Sequence, residues 1–163
     1  MRLNIDKLDV LKLKLSNGVT IEEAFISSAK QLKECIYERL SEYYYSYSPS
    51  NYSRSYSLLN SLEADNFVTV KGSTLIINVS FNDKANHPSG YGVWADYGST
   101  NVNTAYLMNY GYTVNKPVWF KDIHHFGHKD PAHFIENGVR DFLDYYNRYN
   151  LSVEIHKPDT YYV

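Results

Sequence analysis

Four of the six histidines in this sequence fall within ten residues, in the segment Asp122-Ile123-His124-His125-Phe126-Gly127-His128-Lys129-Asp130-Pro131-Ala132-His133. Neutral imidazoles and carboxylates bind zinc or manganese, and a metal-activated water is the nucleophile of a metal-dependent hydrolase. The ligand set for such a site is His124, His125, His128 and Asp130. Its spacing is unfavourable, because adjacent His124 and His125 point in different directions on most backbones and no His-x-x-x-His pair sits on a predicted helix. His87 and His156 are far away along the chain. The expected state of the segment is therefore a polar loop leading into the last helix, with its histidines solvated or bonded to backbone groups. No metal and no cofactor is expected, and the His-loop hydrolase stands as the alternative.

Other chemistry is sparse. The single cysteine, Cys35, lies beside Ile36 in a helical pattern, where a buried, inert thiol is expected rather than a nucleophile. One cysteine forms no intrachain disulfide, which suits a reducing compartment. No phosphate-binding glycine loop, Gly-x-Ser-x-Gly, Cys-x-x-Cys or GxGxxG pattern occurs. Tyr43-Tyr44-Tyr45, Tyr47, Tyr52 and Arg54 offer rings that could stack on bases, yet they sit in no cationic run. Sixteen basic residues against eighteen acidic ones leave a charge of −2, so neither sequence-specific nucleic-acid binding nor a membrane-surface role is expected. Met1 to Leu15 mixes charges every few residues and does not read as a signal peptide, and no stretch reaches the ~20 apolar residues of a membrane helix.

The elements that position these residues follow from spacing. Length and a 44% apolar fraction fit one globular domain over residues 1–163. Leu8 to Leu15 fits a strand or a short helix equally, and Asn17-Gly18 marks a turn. Phe25, Ala29, Leu32, Ile36 and Leu40 form one stripe on a long helix. Thr20 is its N-cap, Glu23 its capping-box partner, and its end is expected near Tyr44 or Tyr45, before Pro49. Tyr56 to Leu62 reads as a short helix with Tyr56, Leu59 and Leu62 on one face. Phe67 to Val70 and Leu75 to Phe81 read as a β-hairpin closed by Lys71-Gly72-Ser73. Asn82 to Gly92 reads as an excursion, Val93 to Tyr97 as a short strand, and Thr104 to Tyr110 as a helix stopped by Gly111. Asp130 is the expected N-cap and Pro131 the first residue of a last helix with Ile135, Val139, Phe142 and Tyr146 on one stripe, running to about Tyr149. Leu151 to Ile155 alternates like an edge strand. The predicted fold is α+β: a small antiparallel β-sheet packed against a long N-terminal helix and a C-terminal helix.

Seventeen tyrosines are the most unusual feature of the composition. A large ring with a polar tip and little side-chain entropy suits interfaces, and an AT-rich coding bias would give the same count. Three segments carry a resemblance. Tyr52-Ser53-Arg54-Ser55-Tyr56-Ser57-Leu58-Leu59-Asn60-Ser61-Leu62 resembles the Tyr-x-Arg-Thr-x-x-Leu-x-x-Ser-Ile segment of the tail-completion, neck or head–tail joining minor structural proteins of long-tailed bacteriophages. Trp94-Ala95-Asp96-Tyr97-Gly98-Ser99-Thr100 is similar to that family's Tyr-Ala-x-x-Val-Glu-x-Gly-Thr strand and turn, and Pro131-Ala132-His133-Phe134-Ile135 is similar to its Pro-Phe-Leu approach to the last helix. Their order matches over about residues 20 to 150. Ser55 stands for threonine, Asp96 near the usual glutamate, and His124 to Lys129 is inserted. The resemblance implies a virion protein with no catalytic residues, present in the host cytoplasm during assembly. It would form a homo-oligomeric ring and contact other phage neck and tail proteins. Tyr52, Arg54, Tyr56, Trp94 and Tyr97 are then the expected interface residues. A small phage-encoded protein that binds one host factor is the remaining alternative.

Overall fold

The longest element is fixed by its first turn. The Thr20 hydroxyl accepts from the Glu23 amide at 3.2 Å, and the Glu23 carboxylate accepts from the Thr20 amide at 2.9 Å. These reciprocal bonds satisfy two of the amides that every helix start leaves unpaired. In the computed structural model, which describes residues 7–46, 56–82, 86–88, 101–113 and 128–157, this helix runs over Ile21–Tyr45. It is preceded by a short helix, α1 (Lys7–Lys12), so the ambiguous segment is helical over Leu8 to Lys12, while Lys14 beyond it makes an isolated antiparallel bridge with Thr20; the long helix is α2. Gly18 takes φ +83° in the turn between them, at the expected Asn17-Gly18 position.

Among the described residues eight short strands pair two by two, all antiparallel: β1 (Leu62–Ala64) with β4 (Val79–Phe81), β2 (Thr69–Lys71) with β3 (Thr74–Ile76), β5 (Asn86–Pro88) with β6 (Asn101–Asn103), and β7 (Tyr112–Thr113) with β8 (His128–Lys129). The first two pairs form one interrupted hairpin. Lys71 faces Thr74 across Gly72-Ser73, and φ +65° at Gly72 supplies the positive φ that a tight turn of this kind requires. Asn86 to Pro88 is thus a strand, where composition predicted only an excursion, with Pro88 opposite Asn101. Tyr56 to Leu62 narrows to a 3₁₀ turn over Leu59–Ser61, because Tyr56 sits at φ +54° and cannot continue a helix.

Helix α3 (Thr104–Tyr110) stops at Gly111, φ +71°, where expected. Helix α4 (Phe134–Asp141) starts later than its sequence suggests. Asp130 and Pro131 lie outside it, and its N-cap, His133, has φ +53° and no capping side chain. The capping comes from α3 instead. Asn109, fully buried, accepts from the Ile135 amide at 2.7 Å and donates to Glu136 at 2.7 Å, while the Ala132 and His133 amides bond to the carbonyls of Met108 and Asn109. After Asp141 the chain widens into a π-helical turn over Phe142–Tyr146, which rotates Tyr146 out of the stripe and leaves it exposed.

The core forms where α4 crosses α2. Leu40 and Phe134 are almost fully enclosed, with Ile36, Leu58, Leu59, Leu62, Ala105, Ile135 and Val139 in the same cluster, and Phe142 is buried as well. A Cβ on Gly138 would stand 2.6 Å from the Ile36 Cα, so the absence of a side chain there sets how closely the helices approach. The fold is α+β, with the long helix, the C-terminal helix and small antiparallel β-structure as predicted.

Candidate functional site

Part of the apolar stripe of α2 is only half-covered. Phe25 and Leu32 belong to the same row as buried Ala29, Ile36 and Leu40, but above them the fold leaves a cleft of about 420 Å³. Its floor is this stripe together with Val139 and Phe142. One wall is formed by β3 and β4 with the Ile77-Asn78 link between them, and the other is the extended segment Leu151, Val153 and Ile155. Those three residues alternate half-buried with exposed Ser152, Glu154 and His156, as the sequence predicted, but the segment joins no strand among the described residues.

Hydrogen-bond phase shows what the walls present. The Asn82 amide donates to the Ser61 carbonyl and the Asp65 amide to the Asn78 carbonyl. In an antiparallel ladder, alternate residues bond to the partner strand. Asn78, Ser80 and Asn82 therefore face β1, and the amides and carbonyls of Ile77, Val79 and Phe81 point the other way, along an edge that no further strand pairs among the described residues. No backbone–backbone bond from residues 152–157 is found among the described residues. The cleft thus offers apolar surface and open backbone positions, with Glu154 and His156 solvated at its rim, 3.8 Å apart.

Between Asp65↔Asn78 and Thr69↔Ile76 the outer strand carries two more residues than its partner, which makes a bulge at Asn66 and Phe67. Phe67 is 61% exposed while the adjacent Val68 is 8% exposed. A second exposed apolar group, Leu143, Tyr145 and Tyr146, lies on the π-helical turn.

Of the interface residues expected from sequence, Tyr52, Arg54, Trp94 and Tyr97 lie outside the described residues, as do His124 and His125. Tyr56 is 41% exposed and stacks on Tyr44 at 6.2 Å between ring centroids, which seats it on the end of α2. His128 lies in β8 and Asp130 is exposed two residues later. Among the described residues no three or more His, Cys, Asp or Glu side chains come together. Cys35 is buried, and burial pushes its thiol above the ordinary value. Arg39 donates from Nε to Asp141 at 2.5 Å and from an Nη to Glu42 at 2.9 Å. Its guanidinium holds the Asp141 carboxyl below the usual range, chiefly through that hydrogen bond.

Three residues that matter here carried little signal in sequence. Gly138 was one glycine within a helical pattern, and nothing local showed that it meets the Ile36 backbone. Asn109 looked like an ordinary residue of a short helix. Phe67 read as the first residue of a strand, and nothing local showed the bulge that turns it outward. Among the described residues no helix is long and apolar enough to cross a membrane. No family model matches the chain, and no curated protein or solved structure matches it.

Proposed function

We propose that this chain is a self-assembling virion subunit of the neck or tail junction of a long-tailed bacteriophage. It would act as a ring-forming piece in tail completion or head–tail joining rather than as an enzyme. The phage assignment is supported by the order of the three motif-like segments beginning at Tyr52, Trp94 and Pro131. The observation that carries the assembly reading is the cleft over α2, an apolar opening bordered by open backbone edges on a chain that also exposes Phe67, Leu143 and Tyr145. An exposed apolar group opposite a receptive cleft on the same molecule favours contact between copies. Tyr52, Arg54, Tyr56, Trp94 and Tyr97 are proposed as contacts with neighbouring neck and tail proteins. The chain needs no cofactor for this role, and its place is the virion after assembly in the host cytoplasm. Electron microscopy of the concentrated protein tests the proposal. Closed rings of one diameter are expected; a field of single-chain particles only would contradict it.

A further inference from the structure

We propose that copies of this chain join head to tail through one repeated contact: the Phe67 bulge of one copy enters the cleft over α2 of the next, and the strand behind it extends that copy's hairpin. This identifies the contact behind the assembly reading above and rests on that reading.

Two features of the cleft specify its occupant. Its floor is apolar, and one wall is an open strand edge carrying the amides and carbonyls of Ile77, Val79 and Phe81. An extended backbone can pair with that edge, and an apolar side chain suits the floor. The segment Phe67 to Lys71 of a second copy supplies both. Phe67 is the most exposed phenylalanine among the described residues, is held outward by the bulge, and does not line its own cleft. Lys71 and Thr74 close the two-residue turn, so Val70 presents its backbone groups on the outer edge of the hairpin. Donor and acceptor lie on opposite edges of one hairpin. Each copy can therefore give and receive at once, which is the heterologous arrangement that gives rings when the rotation between copies closes.

Two substitutions separate the halves of the contact. Phe67→Ser removes the inserted ring and keeps the cleft. Val79→Pro removes an amide that faces away from β1 and keeps Phe67. Light scattering is expected to give an oligomeric wild type and a single-chain mass for each variant. An equimolar mixture of the two variants is expected to give a two-chain species and nothing larger, because one productive contact remains. Variants that keep the wild-type mass, or a mixture that stays single-chain, would overturn the contact while leaving the assembly reading standing. A wild type that is single-chain at every concentration would overturn both. Should Val79→Pro fail to fold, amide exchange of the wild type decides. The Val79 and Phe81 amides should be protected in the oligomer and exchange quickly on dilution, whereas Ser80 and Asn82 stay protected throughout. Equal Val79 protection in both states would overturn the contact.

Discussion

Gly138 governs the core through an atom it lacks. A methyl group there would meet the Ile36 backbone at 2.6 Å, closer than real Cβ contacts come. Backbone cannot step aside as a flexible side chain can, so α4 would have to lift from α2. Gly138→Ala is expected to lower stability by about 2–3 kcal/mol despite the better helix propensity of alanine, as the midpoint of urea unfolding would show. Cys35 illustrates the reverse case, a reactive atom type made inert by its place. It sits on the buried side of α2, as its place beside Ile36 in the sequence suggested, and burial pushes its thiol above the ordinary value. Tyr56 was harder to read. Its spacing put it on a helical face with Leu59 and Leu62, and those two are buried, but its left-handed backbone turns it onto Tyr44 instead. A backbone inversion at one residue leaves no trace in apolar periodicity.

At the scale of elements, what was legible depends on how far the deciding contact reaches. The start of α2 is decided by Thr20 and Glu23, three residues apart, and the end of α3 by Gly111 alone; both were readable. The start of α4 is decided by Asn109, which lies 26 residues from the amide it caps, so the local signals at Asp130 and Pro131 misplaced it. Asn109→Ala is expected to cost about 2 kcal/mol, because the Ile135 amide is left buried without its acceptor. The open cleft was unreadable for the same reason, since its floor and two walls come from four separate segments. The tie between α2 and α4 at Arg39 and Asp141 has a definite pH signature. A carboxyl whose folded pKa is depressed stabilises the fold above its ordinary range, and loses that contribution as pH falls through the folded value. Asp141→Asn should therefore remove a modest stabilisation at neutral pH, about 1 kcal/mol for a pair that solvent still reaches in part. It should also flatten the acid limb of the stability–pH curve, and an acid limb identical to wild type would contradict the assignment.

For the whole molecule, the described chain divides into two kinds of surface. Where α4 crosses α2 the packing is close, with Leu40 and the Phe134 ring almost fully enclosed. Over the first half of α2 the same stripe emerges under an open cleft, and the hairpin beside it keeps both edges unpaired by any further strand among the described residues. Two-stranded β-structure of this kind gains most from added strands, and a neighbour can supply one. That division is the physical basis for reading the protein as a piece of an assembly. The most direct test is the mass of the purified chain by multi-angle light scattering over a wide range of concentration. A plateau at one fixed multiple of the 18.9 kDa chain mass is predicted, with dissociation only on dilution. A mass of 18.9 kDa at every concentration would contradict the account.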